Sequence, residues 1–305
     1  MAASMSPKHP AVTIVAPRAP LEISEVDTIP PSANEVLVHV KWIASTPLNL
    51  HQADGGLLIS PPHIMSGCFA GTVVQSGSLE NPALSKSSRN LQVGDRVFGF
   101  AWQEQQQRPM QTYITVPAYF LGKIPADVSI QEAVTVPTNF CTAMHTITKD
   151  LDLQLPWPLP EGWTPPEADK PILIWGATSS VGQYAVSPAE KGTKVAVMLP
   201  VIKSHASSTE TPVYEMDIGK VLMEQWQKGV ELRGVRTHFY PDNEFFKYHL
   251  QSDIMPAMLE KGLIRPSKRR IVEGETLLDR AESALSLLRD KSVSGEKLVW
   301  RVAEE

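Results

Sequence analysis

Between Pro171 and Val186 the sequence reads PILIWGATSSVGQYAV, and its glycines and hydroxyls are spaced to handle a phosphate. Ile172, Leu173, Ile174 and Trp175 form a continuous apolar run, which suits a strand buried on both faces of a parallel sheet. Gly176 then permits a tight turn and Gly182 a close backbone approach, while a helix starting near Ser180 would aim unpaired N–H groups at an anion. Thr178, Ser179 and Ser180 add hydroxyl donors, and the spacing is G-x-x-S-x-x-G rather than G-x-G-x-x-G. Strand, turn and helix also occur together without a ligand, so a purely structural role stays open.

Other reactive residue types are sparse. Cys68 and Cys141 are the only cysteines, and their apolar neighbours predict two buried thiols rather than a disulfide. No cysteine cluster could hold a structural zinc, and no serine-centred elbow has a His/Asp framework around it. Tyr113, Tyr119 and Tyr240 are candidate proton donors, although a half-buried structural tyrosine is the usual case. RPSKRR, Arg265 to Arg270, is a basic cluster that reads first as a solvated turn and next as a phosphate or carrier-protein contact.

The elements that must position these groups follow from composition and period. The 305 residues suit two packed domains, 42% hydrophobic content fills ordinary cores, and a net charge of −5 argues against a general nucleic-acid or acidic-membrane binder. The opening MAASMSPKHPA has no apolar signal region and no later stretch is apolar enough to span a bilayer, which predicts a cytoplasmic protein. Strands are expected at Val12 to Val15, Leu21 to Val26 and Glu35 to Ala44, where Val36, Val38, Val40 and Trp42 share one face. Arg96 to Phe100, Thr112 to Val116 and Leu121 to Ile124 continue the pattern of a partly closed barrel, with Asn81 to Asn90 as a surface loop. Ile130 to Ile147 reads as a linking helix interrupted by Pro137, and Leu155 to Pro171 as an irregular flap. Further on, Lys194 to Val201 is expected as a second buried strand, followed by a polar loop through Thr211 and another strand at Val230 to Phe239. Phe245 to Leu259 and Glu275 to Leu288 read as helices and Leu298 to Val302 as a closing strand.

Five blocks together carry a family resemblance: NEVLVHVKWIASTPLNLHQADGG, GCFAGTVV, LQVGDRVFGF, PILIWGATSSVGQYAV and VSGEKLVWRV. In this order they resemble the medium-chain dehydrogenase/reductase superfamily, and within it the zinc-independent trans-acting enoyl reductases and toxin-cluster reductases of fungal polyketide pathways. The resemblance implies an α/β chain in which a GroES-like β-barrel joins a Rossmann-like parallel sheet. It also implies NADPH as cofactor and hydride reduction of an enoyl double bond on a small-molecule or carrier-tethered acyl chain, with a polyketide synthase as partner. Residues 1–135 would form the GroES-like catalytic domain, 136–260 the cofactor domain, and 261–305 a segment returning to the catalytic domain.

One departure from the family is large. GQYAVS leads through Pro188 to Gly192 straight into a strand, Thr193 to Val201, that resembles a late strand of the family, so at least two βαβ units of about 30 residues each are missing. The expected sheet is therefore truncated, and most of the adenosine half of the cofactor site goes with the missing units. An alternative alignment takes Lys194 to Val201 as the second strand and puts Lys203 and His205 near the adenosine ribose. The order MLPV, GVRTHFY, EFFKYHL and IMPAMLEKGLIRP favours the first alignment.

The resemblance assigns the site residue by residue. Leu48, Asn49 and His51 match the barrel segment that approaches the nicotinamide, where His51, expected in a loop, could donate a proton. Thr178, Ser179, Ser180 and Val181 match the pyrophosphate turn. Leu199 and Pro200 match backbone near the nicotinamide, and Ser294, Gly295, Glu296 and Lys297 the last cofactor loop. The substrate-lining segments would be Val136, Pro137, Thr138, Asn139, Phe140, Cys141, Thr142 and Ala143, with Val235, Arg236, Thr237, His238 and Phe239; ordinary packing is the competing role for them. Cys68 falls near a zinc-ligand position of zinc-dependent relatives, yet Ser66, Gly67 and Phe69 offer no His/Glu pair, so no metal is expected. The missing units keep a non-catalytic remnant or synthase-docking protein open beside the reductase, and quinone reduction is a further alternative.

Overall fold

The computed structural model describes residues 6–82, 90–168, 194–207, 209–220 and 231–303. The predicted strand and turn at Pro171 to Val186 lie outside the described residues. In the N-terminal half, β1 (Lys8–Ile14) pairs antiparallel with β2 (Glu22–Asp27), and the long β3 (Glu35–Ala44) follows. Helix α1 (Pro47–Gly55) then leads to the short β4 (His63–Ile64), which pairs with β1, and to β5 (Gly67–Ser76). β6 (Arg96–Ala101), β7 (Tyr113–Pro117) and β8 (Leu121–Lys123) complete this part of the barrel.

β3 is the strand the barrel is built on. It pairs antiparallel with β5 along nearly its whole length and with β7 from Glu35 to His39, while β5 continues to β6 and β6 to β8. Val36, Val38, Val40 and Trp42 are buried as the period-two pattern predicts, but Leu37 and Ile43 on the other face are buried too. A curled sheet hides both faces of a central strand, which alternation alone does not reveal. Gly71 on β5 sits where an added Cβ would come within 2.1 Å of the His39 carbonyl, so only glycine allows these strands to approach at the register shift near Val40.

The linking segment breaks where proline requires. α2 (Ile130–Ala133) is capped by Ser129, and α3 (Pro137–His145) restarts with Pro137 in its first turn, where the missing N–H costs nothing. The helix then widens into a π-turn at Thr146–Asp150. Residues 155–168 carry no regular element, in keeping with the expected flap.

The C-terminal half departs further from expectation. β9 (Lys194–Met198) ends at Leu199 and Pro200; β10 (Val201–Ser204) and β11 (Val213–Glu215) form an antiparallel hairpin where one strand and a loop were expected. β9 is half-buried rather than buried. Among the described residues it pairs only with β12 (Glu231–Val235), in parallel register from Lys194–Glu231 to Met198–Val235. β12 stops at Val235, five residues after its expected start, and Thr237–Asp242 turn into a 3₁₀ helix instead of extending the strand.

The predicted helix of residues 245–259 is α4 (Glu244–His249), a π-turn at Leu250–Ile254 and α5 (Met255–Glu260). β13 (Arg269–Ile271), α6 (Leu277–Arg289) and β14 (Lys297–Arg301) bring the chain back to the barrel. β14 pairs with β3 and β13 pairs parallel to β14, which makes the barrel sheet seven-stranded. α6 begins with Thr276 bonded to the Asp279 N–H and buries Ala281, Ala284 and Leu285, as its i, i+3, i+4 spacing predicts. The fold is α/β, with a GroES-like sheet and a short parallel sheet.

Candidate active site

α1 is where the barrel half of the site is built. Thr46 precedes Pro47 in the first turn, Asn49 reaches back to accept from the Thr46 N–H at 2.8 Å, and Gly56 closes the helix at a positive φ of 65°. Asn49 is 0% exposed, and its amide also donates to the Ser66 carbonyl at 2.9 Å. Both ends of this predicted cofactor contact are thus used inside the barrel, where they fasten α1 to the start of β5. Leu48 beside it is half-buried.

His51 lies on α1 rather than in a loop, and is 7% exposed. Its Nδ1 is 3.0 Å from the Tyr214 hydroxyl, and the two rings meet edge to face. Burial lowers the His51 pKa, His205 lowers it further and Asp54 opposes them. Burial, with the Asp54 charge, pushes Tyr214 up to about 12, so its hydroxyl keeps its proton. Asp54 is held by a two-bonded Arg289 guanidinium at 2.7 and 2.8 Å, which ties α1 to the end of α6. Arg18 donates to the Glu210 and Ser207 carbonyls and secures the same hairpin loop.

Cys68, on β5, meets the first turn of α3. Its Sγ is 2.7 Å from the Thr138 hydroxyl and accepts from the Thr138 N–H at 3.2 Å. Both cysteines are free and buried, as expected. Register places Cys68 opposite Ala44, and Ala44 opposite Val299, so Lys297 lies two residues along the same face of β14. Lys297 is 4% exposed; burial lowers its pKa and Cys68 is the charge that opposes the shift. Glu296 instead turns to Arg270 and Lys268, while Ser294 and Gly295 are exposed. Three segments singled out in the sequence, at Thr138, at Lys297 and on α1 through Ser66, therefore converge on the start of β5.

The remaining predicted residues divide. Val136, Phe140, Cys141 and Ala143 are buried in the hydrophobic core and Asn139 is buried with them. Thr142 accepts a 2.9 Å hydrogen bond from Thr237, and His238 packs on Phe100 and Trp102. Val235 is buried, whereas Arg236 and Phe239 face a cavity of about 440 Å³ beside the π-turn. Leu199 packs over Gly234, where an added Cβ would come within 2.6 Å of it, and Pro200 is half-buried. Thr178, Ser179, Ser180 and Val181 lie outside the described residues. Of the tyrosines named from sequence, Tyr240 is fully buried and receives the Gln251 amide, and Tyr113 stacks on His39. Tyr119 is half-buried against Phe120 and Tyr248.

Sequence reasoning missed Tyr214. The available signal was a β-branched and aromatic pair, Val213-Tyr214, bounded by Pro212, which marks a short strand. Among the described residues no group of three or more His, Cys, Asp or Glu side chains is placed to hold a metal ion, and no helix is long and apolar enough to cross a membrane.

Residues 32–146 match the alcohol dehydrogenase GroES-like domain. The trans-enoyl reductase tazE of Aspergillus terreus is 31% identical over 194 residues, which cover 61% of this chain and 60% of that protein. The trans-enoyl reductase tndF of Aspergillus flavipes is 29% identical over 61% of this chain and 52% of its own length. The chain thus spans between half and three fifths of these relatives. Among solved structures, a putative zinc-dependent alcohol dehydrogenase from Rhizobium etli CFN 42 superposes with a TM-score of 0.68 at 16% identity, over 98% of this chain and 99% of that one. The CurK enoyl reductase gives 0.64 at 14% identity, over 96% and 99%; at such identities the likeness concerns the fold. The comparisons thus give a GroES-like domain at residues 32–146 and a likeness to trans-enoyl reductases over about three fifths of the chain.

Proposed function

We propose that the chain is a nicotinamide-dependent reductase of the enoyl reductase type, using NADPH and acting on a polyketide-type acyl chain presented by a synthase in the cytoplasm. The observation that carries this reading is the convergence at the start of β5, where Lys297, almost wholly buried, has an ammonium with no hydrogen-bond or ion-pair partner among the described residues. A buried cation without a partner is costly, and a polar ligand group placed against it removes the cost. The unpartnered Lys297 ammonium fits a polar group of the nicotinamide half, to which the family resemblance also assigns Leu48, Leu199, Pro200 and Ser294 to Glu296. When bound, the cofactor would supply a hydride to the enoyl carbon. The chain's own part is to hold the substrate against Thr138 and Thr142, exclude water with the aromatic wall of Phe100, Trp102 and His238, and keep a proton on Tyr214 beside His51. The pyrophosphate would rest on Thr178 to Val181. In this reading residues 1–135 and 261–305 make the catalytic domain and 136–260 the cofactor domain.

Titration of the purified protein with NADPH, and with NADH as comparator, tests the reading. Micromolar binding with preference for NADPH, followed by enoyl-thioester-dependent oxidation of NADPH, is the expected result. A cooperative melt with no binding would favour the second reading, a non-catalytic synthase-docking protein. The expected loss of at least two βαβ units supports that second reading, because a shortened parallel sheet offers less crevice for a dinucleotide.

A further inference from the structure

Between the π-turn after α3 and the end of β12 lies the cavity of about 440 Å³, large enough for one small molecule. Its charged groups are unusual. Asp150 is 6% exposed, and its Oδ2 is buried without a hydrogen-bond partner. Asp242 is a second, exposed carboxylate on the lining, and Lys149 and Arg236 are two exposed cations on it. Among the described residues none of these three side chains closes an ion pair or hydrogen bond, although opposite charges line the same space. Phe239, half exposed, and the buried Phe246 supply apolar wall.

Charges held apart around one cavity are complementary to a ligand that carries both signs. We propose that this cavity binds a zwitterion of the α-amino-acid type, its ammonium against Asp150 and Asp242, its carboxylate against Lys149 and Arg236, and an apolar side chain against Phe239 and Phe246. The depth of each group sets the orientation: the buried carboxylate receives the ammonium and the exposed cations hold the carboxylate at the rim. A simple carboxylic acid would leave Asp150 orphaned, and a simple amine would leave both cations unmatched.

Asp150 also fixes how binding varies with pH. Burial pushes its carboxyl up to about 6, while Lys149 and Arg233 pull it down and Asp152 adds to the rise. His145, which also lines the cavity, has its pKa lowered by burial and by the Lys149 charge, with Asp242 opposing them. Arg236 and Asp242 complete the charges that face it. An ammonium requires the ionised carboxylate, so affinity should fall about tenfold between pH 7.5 and pH 5.

The test is calorimetric titration of the whole chain, without cofactor, using L-leucine and L-phenylalanine. Two half-ligands, 4-methylpentanoate with only the carboxylate and 3-methylbutylamine with only the ammonium, serve as comparators. The expected result is saturable binding of an amino acid, at least about tenfold weaker binding of both half-ligands, and an about tenfold or greater loss in Asp150→Asn and in Arg236→Gln. Arg236 is exposed, so its variant reports on the site even if Asp150→Asn alters the fold. No heat up to about 20 mM of either amino acid, a half-ligand that binds as tightly, or unchanged binding by Arg236→Gln would overturn the proposal. Arg236 and Phe239 belong to the reductase reading as well; because binding is measured without NADPH, failure of one leaves the other standing.

Discussion

The barrel strands and β9 of the parallel pair both carry Val-rich runs, yet they sit in very different surroundings. Phe69, Phe98, Val97 and Trp300 in the barrel are fully buried, whereas Val195, Ala196 and Val197 on β9 are only half-buried. Seven strands share both faces of each other's hydrophobic groups; among the described residues β9 and β12 share one edge. Burial is thus a property of how many elements surround a strand, and a Val-rich run does not by itself make a core.

Phe98→Ala should produce the largest effect that separates the two regions. Deleting a fully buried ring leaves a cavity, at a cost of roughly 3–5 kcal/mol, against about 1 kcal/mol or less for Val197→Ala on β9. Denaturant melts of both variants check this, and equal losses would show that β9 is buried as completely as the barrel.

The next effect belongs to the Asp54–Arg289 pair, which joins α1 to α6 with an almost fully buried carboxylate. Arg289→Met should cost roughly 2–4 kcal/mol because it strands that charge, while the double variant with Asp54→Asn should recover much of the loss. Burial outside the barrel gives a pH-dependent counterpart. The folded Asp150 pKa, about 6, lies above its ordinary 3.8, so the protonated form is the one the fold favours. Its contribution to stability is fully present below about pH 4 and is lost as pH rises through 6. Asp150→Asn should flatten that part of the profile by roughly 2–3 kcal/mol between pH 4 and pH 8, as followed by urea melts. A profile unchanged by the substitution would place the orphaned carboxylate in water.

How much of this was legible in the sequence follows the same division. β3, β6, α6 and the break at Pro137 follow from period, capping and proline, because their determinants lie within a few residues. His51 was read as a loop residue since Thr46-Pro47, the helix start, precedes it without an acidic first turn. The convergence of Thr138, Cys68 and Lys297 depends on a helix and strands 70 and more residues apart in the chain coming together, which no local spacing encodes. The hairpin β10–β11 was missed because its strands are four and three residues long and one carries a bulge between Ile202 and Ser204.

Tyr214→Phe carries the smallest expected effect and the finest test of the comparison, since it concerns one contact by which the hairpin β10–β11 reaches the barrel. The tyrosine ring packs where Gly55 leaves room: an added Cβ there would lie 2.2 Å from the hydroxyl. Removing only the hydroxyl keeps that packing and deletes the bond to His51, at a cost of about 0.5–1.5 kcal/mol. His51 would then lose its Nδ1 partner while keeping its burial. Under the reductase reading the variant should slow enoyl-thioester-dependent NADPH oxidation more than it lowers the melting temperature, and the shape of the pH–rate profile should change with it. A variant that loses stability without any change in that profile would make the Tyr214–His51 contact a fastening between the two halves, with the proton supplied from elsewhere.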